Sequence, residues 1–175
     1  TPALWRFWKA EDGLRESFTG SITVGPSGRV WARHGDVEDV DCLDGYGIRR
    51  IPNPRAPNRM AALSRIQEAP SGSLWTMGPE GLRQYANGRW LLHPISEVAQ
   101  RPQTERGLPF IALDSDVVLI LLPETLLGYD ASARTTRVLR RAPELGLGKF
   151  VHLSAASDGG VWLTAERGAA RLWPE

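Results

Sequence analysis

Four acidic residues recur at nearly constant spacing in this 175-residue chain and are the first candidates for chemistry. They follow one another at intervals of 44, 44 and 42 residues: Asp36, Glu80, Glu124 and Glu166. If a repeated fold carried them to one surface, their carboxylates would bind a cation or accept hydrogen bonds from the hydroxyl groups of a sugar. The alternative is that each is a polar turn residue whose side chain bonds to the nearby backbone.

Two arginines give a second set of candidates. Arg55 lies in a segment that contains three prolines, and Arg106 lies in the long segment 95–109. A guanidinium group binds a carboxylate through two parallel hydrogen bonds, so these residues are candidates for recognising an acidic glycan. The alternative is that they are solvated loop charges or partners of nearby acids.

Two histidines could add metal or acid–base chemistry. His34 and His152 would approach each other, together with Asp36 and Glu166, if the first and last parts of the chain were neighbours. The third histidine, His93, is predicted to be too peripheral to join them. The alternative is that the histidines are hydrogen-bonded or face solvent, and we assign no metal, no cofactor and no catalytic residue.

The composition argues against several function classes. The 21 Lys and Arg residues and 20 Asp and Glu residues give a formal net charge of +1, so nothing drives the chain toward nucleic acid. The longest apolar stretch, residues 117–122, is far below the ~20 residues that span a bilayer, so we expect no membrane insertion. The single Cys42 forms no internal disulfide. No phosphate-binding loop, nucleophile elbow or zinc-ligand spacing occurs.

An internal repeat predicts the elements that must position these residues. Turn triplets occur at residues 26–28, 70–72, 114–116 and 157–159. Three positions after each triplet stands a large apolar residue, at intervals of 44, 44 and 43: Trp31, Trp75, Leu119 and Trp162. The second unit reads as four strands, 63–68, 73–77, 81–86 and 89–93, with an Asn87-Gly88 hairpin turn before the last. Four antiparallel strands in each unit of ~44 residues are typical of a β-propeller blade.

We therefore predict an all-β fold, a single β-propeller domain over residues 1–175 with four blades of four antiparallel strands. The blades cover approximately residues 18–53, 60–94, 109–141 and 149–175, and the N-terminal strand 4–9 completes the last one. The ring is closed by the chain itself, closed by a homodimer of two four-blade halves, or part of a larger propeller. The tryptophans of the repeat are expected to fill the layers between blades.

Strand parity predicts which loops share a face. If the four strands of a blade are named A to D, the tight A–B and C–D turns lie at one end, which we call the bottom. The B–C turns and the long D–A connections then lie together at the other end, the top. Long loops on a rigid scaffold are common binding sites, so the top face is the candidate ligand-binding surface. All eight candidate residues map to it: Asp36, Glu80, Glu124, Glu166, His34, His152, Arg55 and Arg106.

The second unit resembles the repeats of the two-component regulator propeller family. The matching residues are Gly72, Leu74, Trp75, Gly78, Gly81 and Leu82. Gly160, Val161, Trp162 and Gly168 carry the same pattern in the fourth unit. The resemblance implies an extracytoplasmic sensor region of a bacterial membrane receptor, often coupled to a histidine kinase and often recognising polysaccharide fragments.

These observations predict a ligand-binding sensor domain on the periplasmic or extracellular side of a bacterial inner membrane. The expected partner is a small molecule or an oligosaccharide, and further blades or a second copy are also expected partners. Two alternatives from other classes stay open. One is a propeller lyase or hydrolase with a histidine–acid site, and the other is a scaffold for protein partners.

Overall fold

The chain folds into four antiparallel β-sheets that follow one another along the sequence. The computed structural model describes residues 6–16, 18–35, 37, 39–53, 65–101 and 107–173. In each sheet the strands are hydrogen-bonded in chain order, so every sheet is a simple meander. This is the blade pattern of a propeller, and the predicted all-β, four-blade fold is confirmed.

The first two blades contain four strands each. Blade 1 consists of β1 Thr19–Val24, β2 Val30–His34, β3 Val40–Leu43 and β4 Ile48–Ile51. Blade 2 consists of β5 Ile66–Glu68, β6 Leu74–Gly78, β7 Gly81–Ala86 and β8 Arg89–Pro94. The predicted Asn87-Gly88 hairpin is confirmed, because both residues have positive φ angles, 52° and 79°.

The third blade has four strands, and three strands of the fourth are described. Blade 3 consists of β9 Phe110–Ala112, β10 Val117–Leu122, β11 Thr125–Asp130 and β12 Thr135–Arg141. Blade 4 consists of β13 Phe150–Ala155, β14 Val161–Ala165 and β15 Gly168–Leu172. Residues 6–9 form no strand, and residues 1–5 lie outside the described residues. Completion of blade 4 by the N-terminal strand 4–9 therefore stays a prediction.

Two D–A connections contain a short helix that the sequence analysis did not predict. These are α1, Ser96–Ala99, and α2, Ala142–Leu145, and a 3-10 helix covers Ala10–Asp12 before blade 1. In α2 the Glu144 carboxylate accepts the backbone N–H of Arg141 at 3.0 Å. The helix then ends at Gly146, whose φ of 64° suits a residue without a Cβ. Such local capping was visible in the sequence, but four-residue helices are too short to give a periodic signal.

Each blade packs on the next through an apolar layer. We call the side of a blade that packs on the following blade its forward face, and the opposite side its rear face. The layer between blades 1 and 2 joins Trp31 and Cys42 to Ile66 and Leu74. The layer between blades 2 and 3 includes Trp75, Met77, Phe110 and Val118, and the layer between blades 3 and 4 includes Leu119, Leu121, Leu153 and Val161.

The large apolar residue of the repeat occupies the forward face in all four blades, but its burial differs. Trp31 and Trp75 are 2% and 0% exposed, which confirms their predicted role between blades. Trp162 is 43% exposed, so the same prediction is wrong for blade 4. The reason is positional: the forward face of the fourth blade lies beyond the last of the three layers between blades.

Candidate ligand-binding face

Backbone hydrogen bonds place the B–C turns next to the D–A connections at one end of the blades. The Ile95 N–H donates to the carbonyl of Glu80 at 2.9 Å, and the Ala142 N–H donates to the carbonyl of Glu124 at 3.0 Å. In blade 4 the Glu166 N–H donates to the carbonyl of Lys149 at 3.0 Å. Three of the four repeated acids therefore lie at the top, beside the long connections, as strand parity requires.

The side chains of these three acids are exposed. Glu166 also accepts the backbone N–H of Lys149 at 3.2 Å, which ties the preceding connection to blade 4. Asp36 lies outside the described residues. Within the described ranges, no group of three or more His, Cys, Asp or Glu side chains is arranged to hold a metal ion. One exposed carboxylate of the repeat thus lies at this corner of each of blades 2, 3 and 4.

The candidate arginines Arg55 and Arg106 both lie outside the described residues. Two other arginines reach the same end of the molecule because β12 finishes there. Arg140 and Arg141 are both exposed, and Arg140 Nη1 donates to the carbonyl of Leu139 at 2.7 Å. The top face therefore presents cationic as well as anionic side chains.

His34 is not accessible to solvent. It is fully buried, and its Nε2 lies 2.9 Å from Oδ2 of the equally buried Asp41. That Asp41 oxygen also accepts the backbone N–H of Arg15 at 2.6 Å, and Arg50 Nε lies 3.6 Å from the other oxygen. The pair holds the segment around Arg15 against the rear face of blade 1. The candidate acid–base residue His34 is thus part of a fully buried hydrogen bond with an acid that was not among the candidates.

His152 lies on β13, where its register partner on β14 is Thr164. Burial and the positive charge of Arg65 lower the pKa of His152 below its usual value. Its position is the forward face of blade 4, whereas His34 is on the rear face of blade 1. In the described part of the chain no hydrogen bond or ion pair joins the two histidines.

His93 links blades 2 and 3. Its Nδ1 lies 3.0 Å from the Tyr129 hydroxyl and its Nε2 lies 3.2 Å from Oε1 of Gln84. Burial is the main cause that lowers the pKa of His93, and the charge of Arg134 lowers it further. The imidazole is therefore neutral at pH 7 and acts as a hydrogen-bonded bridge inside the protein.

One polar residue that matters for the fold was not among the sequence-based candidates. Glu68 is buried between blades 1 and 2, where it accepts hydrogen bonds from Trp31 Nε1 at 3.0 Å and from Ser27 Oγ at 2.7 Å. Arg29 Nη1 lies 3.5 Å from its second oxygen. The repeat could have identified Glu68, because it is a charged residue at a position that is apolar in the other three units. The equivalent positions 24, 112 and 155 are Val, Ala and Ala.

Comparison with known proteins supports the fold. The sequence matches no protein-family model and no curated protein. Among solved structures, the chain is similar to the extracellular domain of a protein described as a hybrid two-component system from B. thetaiotaomicron. The TM-score is 0.62 at 16% identity, over 98% of this chain and 24% of that one. A second extracellular domain from B. thetaiotaomicron, of a protein described as a one-component system, gives a TM-score of 0.63 at 11% identity, over 96% of this chain and 21% of that one.

A structure from a different functional class is also similar. Virginiamycin B lyase from Staphylococcus aureus, in a catalytically inactive form with quinupristin, gives a TM-score of 0.60 at 13% identity. The match covers 92% of this chain and 57% of the lyase. The chain thus spans about a quarter of the two extracellular domains and just over half of the lyase. At these identities the likeness establishes the propeller fold, and the two extracellular domains are consistent with the predicted resemblance to two-component regulator propellers.

Both α-helices in the described part of the chain are four residues long, so neither could cross a membrane.

Proposed function

We propose that this propeller is a ligand-binding sensor segment of an extracytoplasmic bacterial signalling receptor, and that its top face recognises a glycan. The observation that carries the proposal is the recurrence of an exposed carboxylate at the same corner of successive blades: Glu80, Glu124 and Glu166. A face that repeats one hydrogen-bond acceptor at regular intervals is suited to a polymer that repeats its hydroxyl groups.

Two further features support this reading. The connections beside the carboxylates are the longest in the chain, and long loops on a rigid sheet scaffold are where binding residues concentrate. Arg140 and Arg141 add donors for the acidic groups of a glycan such as a uronic acid. The similar extracellular domains of B. thetaiotaomicron signalling proteins support the receptor setting.

The similarity to a lyase favours one alternative, a propeller enzyme with a histidine–acid site. Against it, the His34–Asp41 pair is sealed from solvent and His93 is held by Tyr129 and Gln84. His152, which is half-buried, is the remaining candidate for a general base.

Calorimetric titration of the full chain with neutral and uronic-acid-containing oligosaccharides tests the proposal. We expect at least one oligosaccharide to bind. The triple variant Glu80→Gln, Glu124→Gln, Glu166→Gln should bind it at least ~10-fold more weakly, since hydrogen bonds to charged groups contribute ~1.5–3 kcal/mol and each ~1.4 kcal/mol is tenfold in affinity.

A matched control removes three carboxylates from the bottom turns instead. The variant Asp44→Asn, Asp114→Asn, Asp116→Asn changes the net charge by the same amount at the opposite end of the blades. It should bind the oligosaccharide like the unmodified chain. Absence of binding across the panel, or equal weakening by the two triple variants, would refute recognition at the top face. Cleavage of an oligosaccharide that is lost in His152→Ala would favour the enzyme.

A further inference from the structure

An exposed aromatic ring lies at the top of blade 1. Phe18 directly precedes β1 and is 64% exposed. Its carbonyl accepts the backbone N–H of Gly35 at 3.0 Å, and Gly35 directly follows β2. Of the exposed aromatic residues within the described ranges, Phe18 is the one whose backbone is bonded to a B–C turn. The ring therefore belongs to the candidate ligand-binding face.

Gly35 allows the ring to pack directly on the backbone. A Cβ added to Gly35 would lie 2.0 Å from Cδ1 and 2.4 Å from Cε1 of Phe18. The ring therefore rests on Gly35, while most of its surface is open to solvent. Glycine at a strand often marks a place where another group approaches closely. An aromatic ring that is held on one side and open elsewhere is a preorganised surface for a ligand.

Blade 4 has the same corner with different side chains. The backbone bond between Gly35 and Phe18 recurs there, because the Glu166 N–H donates to the carbonyl of Lys149. Both residues lie 131 positions after their counterparts in blade 1. The Glu166 carboxylate also accepts the Lys149 N–H at 3.2 Å. Blade 1 thus has an aromatic ring at the corner where blade 4 has a carboxylate.

The Phe18 ring is not part of the core. None of the three apolar clusters between the described blades includes it, whereas Trp31 of the same blade is almost completely buried in one of them. A ring left in water gains little of the free energy that burial provides, and glycine is less favourable than alanine in extended structure. Packing within the protein therefore does not explain this pair of residues, and the ring is available to a ligand.

We propose that Phe18 is the surface on which one sugar ring of the glycan stacks, an inference that rests on the proposed glycan binding at the top face. The face of an aromatic ring carries negative charge density, so it attracts the polarised C–H bonds on the flat side of a pyranose. Glu80, at the B–C turn of the next blade, accepts hydrogen bonds from the hydroxyl groups of an adjacent sugar. The ligand class is therefore a neutral hexose polymer whose rings present C–H bonds on one side, such as β-linked glucose.

Calorimetric titration of the full chain with β-linked hexasaccharides of glucose, galactose and mannose tests this inference. We expect at least one of them to bind, and Phe18→Ala should bind it about 10-fold more weakly. Phe18→Trp should keep the affinity, whereas Phe18→Leu, which is apolar but has no aromatic face, should resemble Phe18→Ala. Gly35→Ala should also weaken binding, because its Cβ displaces the ring. The three Phe18 variants should keep the far-ultraviolet circular dichroism spectrum, since this side chain is mostly exposed.

Tyr46→Ala is the matched control, because Tyr46 is 97% exposed but lies in the β3–β4 turn at the bottom. It should bind like the unmodified chain. Normal affinity in Phe18→Ala, Phe18→Leu or Gly35→Ala would overturn the stacking role. If only the triple variant of the top-face glutamates binds weakly, this inference fails and the proposed function stands. Absence of binding to all three neutral hexasaccharides overturns this inference, and the proposed function fails as well only if the uronic-acid oligosaccharides do not bind either.

Discussion

Among single residues, some buried polar side chains stabilise the fold and are not available to bind a ligand. Glu68 is the clearest case, because its buried carboxylate joins two residues of blade 1 to β5 of blade 2. A buried carboxylate must be hydrogen-bonded or paired, and loss of the acceptor would leave the Trp31 N–H without its partner. The role of Glu68 is therefore structural, because its carboxylate holds two neighbouring blades together.

Replacement of Glu68 is therefore expected to destabilise the protein more than replacement of a top-face acid. Glu68→Ala should lower the free energy of unfolding by about 2–4 kcal/mol, since it removes charged hydrogen bonds from a buried site. Glu124→Ala, at an exposed turn, should change it by less than about 0.5 kcal/mol. Urea unfolding of both variants measures the difference, and equal effects would contradict the structural role of Glu68.

Two histidines make stability depend on pH in a defined direction. Burial lowers the folded-state pKa values of His93 and His152, so below the ordinary value of 6.5 the unfolded state binds more protons. The free energy of unfolding should therefore fall as the pH drops from about 7.5 to about 5.5, and it should be insensitive to these groups above that range. In the double variant His93→Gln, His152→Gln this fall should be smaller. Parallel urea curves at the two pH values test it, and an identical fall in both proteins would show that these histidines are not responsible.

At the scale of elements, turn chemistry and close backbone approach decide how each blade is built. The β6–β7 turn brings Gly81 against the end of β8. A Cβ added to Gly81 would lie 2.3 Å from the carbonyl oxygen of His93 and 2.7 Å from the Ile95 nitrogen. Gly88, in the hairpin turn between β7 and β8, has a positive φ as well but open space around it. The two glycines thus separate the effect of backbone conformation from the effect of a clash.

Alanine substitutions at these two positions should have unequal costs. Gly88→Ala is expected to cost about 1–2 kcal/mol, because only the left-handed conformation opposes it. Gly81→Ala should cost about 2–4 kcal/mol, since two backbone atoms must also move. Thermal unfolding followed by circular dichroism ranks the two, and a smaller loss for Gly81→Ala would argue against the close approach at the top of blade 2.

At the scale of the whole molecule, the same residue type in the same repeat position has different surroundings. The forward faces of blades 1 to 3 are covered by the next blade, and the forward face of blade 4 is open. Trp75 is sealed between blades 2 and 3, whereas Trp162 is partly exposed and stacks against Arg171, whose guanidinium carbon is 5.3 Å from the ring centre.

Alanine substitutions at Trp75 and Trp162 should therefore have unequal costs, because only the face that carries Trp75 is covered by a following blade. Trp75→Ala should lower the free energy of unfolding by about 3–5 kcal/mol, the usual cost of emptying a core site of that size. Trp162→Ala should cost less than about 1 kcal/mol, because its ring is already partly exposed. Comparable losses at the two sites would mean that another part of the protein covers blade 4.

The repeat, the order of the strands within each unit and the end of the blades where the long connections lie could all be predicted from the sequence. These features are local: the two-residue turn at Asn87-Gly88 and the recurring turn triplets act within one blade and do not depend on its neighbours. The placement of Glu80, Glu124 and Glu166 followed from strand parity alone. Asp36, Arg55 and Arg106 lie outside the described residues, so their placement stays a prediction.

Which of these side chains are exposed became known from the packing of the blades. His34 is buried against Asp41, and Glu68 is buried against Trp31. Trp162 is partly exposed, although it occupies the same repeat position as the buried Trp75. The physical reason is that burial is a property of two surfaces in contact. A periodic sequence specifies one face of each contact, and the position of a blade in the series decides whether the second face is there.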